Sequence, residues 1–467
     1  MPVPVFLWTD VLLWILVALT IFTIFYSRKR RHLAEPWKRV FRSRVAVGSL
    51  VVLMAFISIG LLDSIHFRGA ESSKSGEVVS LFDLMVSGLR ERQEKTYSAP
   101  FATRLYAKET VKMPDGSEQR IYPRLVHGGS HLEEGESVAS DVYHTIVVSF
   151  FQALAIWILL LLLIALWRKG DNTLKQTLSL WICPRCRVRL GIEEGFPWAT
   201  FLWTLLVILL LAIIAANLSQ KYHILGTDKV GEDVFYQALK SIRTGLVLGT
   251  LTTLVMLPAA ILLGVMAGYF RGWVDDAIQY LYTTLNSIPS VLLIAAAVLM
   301  LQVYMDNNAE EFTSSLERAD MRLLFLCIIL GVTSWTGLCR LLRGESLKIR
   351  ELDYVQAAQA FGVGHFRILM RHLVPNVMHI VLIAVVLDFS GLVLAEAVLS
   401  YINIGVDPTT NSWGNMINSA RLEMAREPIV WWSLLAAFAF MFSLVLAANL
   451  FSDVVRDAFD PRLKGKL

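Results

Sequence analysis

The sequence predicts an all-α polytopic membrane protein of about nine transmembrane helices. Three observations lead there. Apolar runs of roughly 20 residues, the length that crosses about 30 Å of hydrocarbon, recur along the chain. Hydrophobic residues make up 55% of it and charged residues 18%, against about 25% charged in soluble domains. Lys and Arg gather in the segments between apolar runs, a topology signal; with a net charge of +4 they give no argument for nucleic acid. The 13 Trp and 24 Phe suit interfacial belts and lipid-facing surfaces.

Taken in order, the spans fall at about 5–26, 44–63, 144–167, 200–218, 243–270, 276–303, 323–342, 374–398 and 430–452. The first has no Lys or Arg ahead of it, and its basic cluster follows the apolar run. That is the reverse of a secretory signal peptide, so a retained helix with its N-terminus outside is expected. Segment 28–44 is strongly basic, and segment 168–198 carries Arg168, Lys169, Lys175, Arg185, Arg187 and Arg189, so both are read as inside. Threading the remaining spans puts loop 354–376 inside. The tail, with Arg456, Arg462, Lys464 and Lys466, also falls inside.

Segment 64–143 then lies outside. Its apolar content is thin, so a small cap or a partly disordered loop is expected rather than an independent domain. Residues 111–122, VKMPDGSEQRIY, read as a hairpin around Pro114-Asp115-Gly116. The segment is long for a structureless connection and is expected to touch a partner. The organisation predicted is therefore 1–63 (two helices and a basic loop), 64–143 (the outside insert), 144–199 (third helix and linker) and 200–467 (a six-helix core).

The most polar loop of that core, 354–376, reads YVQAAQAFGVGHFRILMRHLVPN. Residues 354–361 are good helix formers, and Ala357, Ala358 and Ala360 keep one side thin, which lets a helix lie deep in a groove. Gly362 suits the helix end, a second short helix is expected at 365–372, and Pro375 suits the first turn of the next span. The spacing also fits an ordinary amphipathic helix on the membrane surface. The residues Ala357, Ala358, Gly362 and Pro375 resemble the EAA loop of permease subunits of binding-protein-dependent ABC importers. The resemblance implies an ATPase-coupling loop, 351–376, with Tyr354, Gln356, Ala357, Ala358, Ala360, Phe361, Gly362, Arg367 and Pro375 as its residues. Gln356 stands where the family has Glu, so that Glu's ion pairs are not carried over.

Further motifs extend the resemblance over 222–462. His223-Ile-Leu-Gly-Thr-Asp228 with Gly231 and Asp233 is similar to the periplasmic segment after the first core helix of dipeptide and oligopeptide permeases. Gly226, Thr227, Asp228, Gly231 and Asp233 are its motif residues; Glu232 departs from the usual Gly or Arg. Ser241-Ile-Arg243-Thr-Gly245, Ala267-Gly268-Tyr269 with Gly272, Val274 and Asp275, and Ile288-Pro289-Ser290 resemble later landmarks. So do Ala395-Glu396-Ala397 with Leu399, Ser400 and Gly405, Ser412-Trp413-Gly414, and Arg456-Asp457-Ala458 with Asp460-Pro461-Arg462. By this resemblance the chain looks like a C-type subunit of the dipeptide/oligopeptide permease family (DppC/OppC-like). The last six spans would form an ABC importer type I permease core, and segment 64–143 a small periplasmic insert. The first three spans and the insert are not explained by it.

Three polar groups within spans are candidates for the translocation path: Asp388, Glu396 and Asn286. Asp388 either lines the path or bonds a neighbouring helix. Asn286 and Asn449 also fit as ties between helices, and Arg243 can snorkel at a span's outer end. Gly245, Gly249, Gly264 and Gly268 permit close helix approach, and Pro258 and Pro289 suggest kinks. Cys327 and Cys339 read as buried thiols. Cys183 and Cys186 form a single CxxC, half of a zinc knuckle and a weak metal candidate, with no second pair nearby.

No G-x-x-x-x-G-K-[ST] loop occurs, and no catalytic constellation or internal repeat is evident. The resemblance implies a non-catalytic subunit of the bacterial inner (cytoplasmic) membrane that binds no cofactor. Its partners would be a second permease, two ATPase subunits holding ATP and Mg, a periplasmic or lipid-anchored substrate-binding protein, and lipid. Di- or oligopeptides are the cargo implied; nickel chelates and antimicrobial peptides are moved by related systems. A membrane receptor or scaffold with a sensing insert is the alternative from another class, and a proton-coupled transporter resting on Asp388 a third.

Overall fold

The computed structural model describes residues 3–28, 31–68, 78–112, 118–133, 136–167, 195–308, 310 and 314–459. Cys183, Cys186, the basic stretch 168–194, the turn Pro114-Asp115-Gly116 and the tail residues Arg462, Lys464 and Lys466 lie outside the described residues.

Among the described residues, nine helices are long and apolar enough to cross a membrane. In chain order the helices are α1 (Trp8–Arg28), α2 (Arg31–Val40), α3 (Arg44–Asp63), the short α4 (Leu81–Met85) and α5 (Ser87–Arg90), α6 (Val138–Trp167) and α7 (Trp198–Ser219). They continue with α8 (Val234–Phe270), α9 (Gly272–Ser287), α10 (Ser290–Asn307), α11 (Ser315–Arg350), α12 (Asp353–Ala360) and α13 (His365–Ile368). A π-helical turn (Leu369–Leu373), α14 (Val374–Tyr401), α15 (Trp413–Glu423) and α16 (Trp432–Phe459) complete them.

Two span expectations are corrected. The sixth, 276–303, is two helices, because the chain breaks at Ile288-Pro289 rather than kinking there. Ile288 is extended (φ −88°, ψ 127°), the conformation a following proline imposes. The fifth starts at Val234, nine residues early, because Asp233 caps it: its Oδ1 accepts from the backbone N–H of Phe235 and Tyr236 at 2.8 and 3.2 Å. Pro258 stays inside α8 without ending it.

The chain divides into two compact units. The first comprises Met1–Val5, Ala34–Arg243 and Asn411–Val454. In it, α6 packs on α7 through Trp157, Leu161, Ala165 and Leu202, and Trp157 Nε1 donates to the Leu202 carbonyl at 2.9 Å. The insert is ordered by small sheets. Strands β1 (Val3–Val5), β2 (His66–Arg68) and β3 (Val78–Ser80) form one antiparallel sheet, and β4 (Glu109–Lys112) pairs with β5 (Glu118–Ile121) as the expected hairpin.

The second unit comprises Phe6–Leu33, Thr244–Thr410 and Val455–Leu467. Its core joins α8, α11 and the 353–381 region around Met256, Tyr269, Leu342, Val355 and Ile368. Gly264 and Gly268 let α8 meet α11 backbone to backbone: an added Cβ would lie 2.8 Å from the Cys339 carbonyl oxygen and 2.7 Å from that of Arg343. Gly249 makes room for a side chain instead: an added Cβ would lie 2.6 Å from the Phe389 ring. Helix α1 belongs to this unit, its Thr9 donating to buried Asp320 of α11. Cys327 and Cys339 are buried free thiols.

Candidate functional site

Helix α12 is anchored by Val355, with Ala358 packed against the same core. Val355 is fully buried in the second unit's core, and Ile368 of α13 anchors the other side of the loop. Helical geometry then turns Gln356, Ala357, Ala360 and Phe361 outward. Phe361 is 87% and Phe366 73% exposed, two aromatic rings left in solvent on a polar loop. Ala358 faces the core rather than outward, so the thin outer side consists of Ala357 and Ala360. The helix ends at Gly362 in a Schellman arrangement: φ is +72°, Val363 N–H donates to the Ala358 carbonyl at 3.1 Å and Gly362 N–H to that of Gln359 at 3.0 Å.

The expected second short helix is not separate. His365–Ile368 passes through the π turn directly into α14, with Pro375 in that helix's first turn and Arg367 exposed. Three contacts fix the loop's ends. Tyr269 Oη and His365 Nδ1 are 2.8 Å apart, and Asn376 Nδ2 donates to Tyr354 Oη at 3.0 Å and to the His372 carbonyl at 2.6 Å. Gln356 Nε2 donates to the Glu351 carbonyl at 3.2 Å, and the Glu351 carboxylate pairs with Arg271. An amide can donate there, whereas a carboxylate at 356 would meet a second carboxylate; the departure at this position therefore fits its surroundings.

The three path candidates separate. Asn286 Oδ1 accepts from Thr336 Oγ1 at 3.0 Å, so it ties α9 to α11. Glu396 is buried and accepts from Ser400 Oγ, one turn on, at 2.7 Å. Asp388 is half-buried on α14 and has no hydrogen-bond partner among the described residues.

In the first unit the 223–233 turn is built as one piece. Asp228 Oδ1 accepts from the N–H of Val230 and of Glu232, both at 2.9 Å, and Gly226 and Gly231 take φ of +68° and +81°. Glu232 leaves the turn intact and accepts from Gln237 at 2.9 Å. The insert closes on it. Glu94 N–H donates to the Gly231 carbonyl at 2.9 Å, Ser98 N–H to Thr227 Oγ1 at 2.7 Å, and Thr227 Oγ1 to the Thr96 carbonyl at 2.9 Å. A Cβ on Gly231 would lie 1.8 Å from the Glu94 carbonyl oxygen. His223 sits buried between two carboxylates, with Nδ1 2.7 Å from Asp233 Oδ2 and Nε2 3.5 Å from Glu94 Oε1. Burial opposes its charge, but the two carboxylates outweigh that and lift its pKa to about 9. Burial would likewise raise Glu94; His223 and the backbone N–H groups of Val126, His127 and Gly128 hold it at about 2.

Residues 260–465 match the family described as "Binding-protein-dependent transport system inner membrane component". The glutathione transport system permease protein GsiD of Pectobacterium atrosepticum is 31% identical over 242 residues, 52% of this chain and 73% of that protein. The chain belongs to this family of permeases. The dipeptide transport system permease protein DppC of Bacillus subtilis is 29% identical over 242 residues, 52% of this chain and 69% of its own length. The oligopeptide transport system permease protein OppC of Mycobacterium tuberculosis is 28% identical over 239 residues, 51% and 76%.

The permease is thus a multi-pass membrane subunit of an ABC importer. Some of its buried polar contacts have no local sequence signal. Glu94 lies in a charged run, and the partners of its carboxylate are 32 to 129 positions away. Asp63, Asp83 and Lys240 form a further ion cluster, with Lys240 Nζ 3.3 Å from Asp63 and Tyr236 Oη donating to Asp83 at 2.7 Å. A Lys within the first turns of a membrane helix was the one available hint.

Proposed function

We propose that this permease pairs with a second, different permease subunit to enclose the path of an ATP-driven importer of di- or oligopeptides in a bacterial inner membrane. The N-terminus and the insert 64–143 face the periplasm, and the 351–376 loop and the C-terminus face the cytoplasm. The printed names of the relatives support a peptide cargo: glutathione, dipeptides and oligopeptides. Two ATPase subunits bind ATP and Mg and press on α12; a binding protein delivers cargo on the other side. This chain performs no bond chemistry of its own.

The observation that carries the docking role is the outward face Gln356, Ala357, Ala360 and Phe361, thin in its middle and flanked by bare aromatic rings, on a helix anchored from behind by Val355. Such a face fits a groove on a partner. Within the path, Asp388 offers an uncompensated carboxylate to cargo, Glu396 stabilises the end of α14, and Asn286 holds helices together. The turn made by Gly226, Thr227, Asp228, Gly231 and Asp233 is the platform on which the insert sits.

The test is co-purification from native membranes. Gly362→Pro removes the N–H that caps α12 and cannot adopt φ +72°. Two ATPase chains and a second permease should be recovered with the native chain, and the ATPases should be lost with Gly362→Pro. Recovery of the same partners with both chains would refute the docking role.

A further inference from the structure

Behind the loop lies a cleft of about 370 Å³, lined among others by Tyr269, Phe270, Arg350, Gln359, Gly364 and His365. Arg350, the last residue of α11, brings a cation to it. Its Nη1 is buried and has no hydrogen-bond partner among the described residues. The guanidinium carbon lies 6.0 Å from the Tyr269 ring centroid, a contact that satisfies no N–H. No Asp or Glu among the described residues lines the cleft: the adjacent Glu351 pairs with Arg271 and takes Gln356, and Tyr269 Oη is bound to His365. Buried polar groups in folded chains are almost always partnered, and a buried charge more so. Among the described residues the cleft therefore holds a cation without a counter-charge, and the group that matches a guanidinium fork in charge and shape is a carboxylate.

The rim of the cleft says where it comes from. Gly362 and Gly364 leave the opening bare, since a Cβ at either would meet nothing within 4 Å. Phe361 and Phe366, each next in sequence to a lining residue, are exposed, and Arg367 and Arg371 add positive charge to the same loop. A charged socket with exposed aromatics close by in the chain is the arrangement of an interface hot spot.

We propose that this cleft receives an Asp or Glu side chain of the ATPase subunit that docks on the loop, its carboxylate pairing with Arg350. The inference rests on the docking reading above and names its electrostatic anchor.

The complete permease pair is reconstituted in lipid nanodiscs, and ATPase binding is measured from low to high salt for the native chain, Arg350→Gln, Gln359→Glu and Phe361→Asp. Arg350→Gln should weaken binding about tenfold or more and flatten its salt dependence. Gln359→Glu, which puts the chain's own carboxylate in the cleft, should weaken it similarly without touching Arg350. Arg350→Glu should be rescued by one Asp→Lys or Glu→Lys variant of the ATPase. Native binding by both Arg350→Gln and Gln359→Glu, with Phe361→Asp still losing the ATPase, would overturn the socket and leave docking intact. Absence of any rescuing variant would also overturn it, pointing to a lipid headgroup or free anion instead. Native binding by all three variants would remove the docking reading itself.

Discussion

Replacing Glu94 by Gln should loosen the insert from the 223–233 turn and change the pH at which it loosens. The carboxylate accepts three backbone N–H groups, from Val126, His127 and Gly128 at 2.9, 2.7 and 3.1 Å, and stands 3.5 Å from the His223 ring. In the amide one oxygen becomes an NH2, so the half-covered N–H of Val126 faces another donor. The imidazolium also keeps only Asp233. The two losses together are on the order of 3 kcal/mol. When opening is fast relative to cleavage, that is roughly a hundredfold faster proteolysis within the insert of the purified permease.

The pH dependence carries a sign. His223 titrates at about 9 when folded against 6.5 when free, so its stabilisation is complete below 6.5 and is lost as pH rises through about 9. Glu94 is depressed from 4.5 to about 2, so its contribution is present above 4.5 and lost as pH falls through about 2. The insert should be tightest between pH 4.5 and 6.5, and in Glu94→Gln the alkaline loosening should be smaller and complete at lower pH, because His223 has lost one of its carboxylates. Identical cleavage rates for both chains from pH 5 to 10 would refute the reasoning.

Other outcomes follow from the same contacts. Ala357→Glu should weaken ATPase association with an unchanged thermal melt, whereas Ala358→Glu, facing the core, should lower the melting temperature as well; equal effects would contradict the assigned faces. Gly268→Val should cost about 1–3 kcal/mol by forcing α8 from α11, read as a lower Tm in detergent. Asp388→Asn should leave the melt within about 0.5 kcal/mol, since it breaks no contact, while reducing uptake of cationic peptides relative to neutral ones.

The membrane spans were legible because a lipid-crossing helix must be both long and apolar, and few other segments are. Their ends were less so. Asp233 extends α8 through a polar stretch that no hydropathy reading includes, and Pro289 breaks the chain where a kink also fitted. In the 351–376 loop, three alanines in four positions hid which side is thin; only the burial of Val355 separates Ala357 and Ala360 from Ala358. The insert shows the opposite limit. Its hairpin is written locally, yet its attachment depends on Glu94 and Ser98 meeting residues more than a hundred positions on, which spacing does not encode. Arg350 was unremarkable in sequence, one basic residue among many, and gains meaning only from its missing counter-charge.

The π turn at Leu369–Leu373 makes a single shaft of His365–Tyr401. At about 1.5 Å per residue its 37 residues span roughly 55 Å. On such a lever each degree of tilt at the loop displaces the far tip by about 1 Å. The extra residue wound into the π turn also offsets the side chains above it from those below, so a slip of that turn by one position would rotate one segment against the other. Force applied to a few loop residues therefore reaches the opposite end of α14 as a swing or a twist, and Asp388 rides on that shaft.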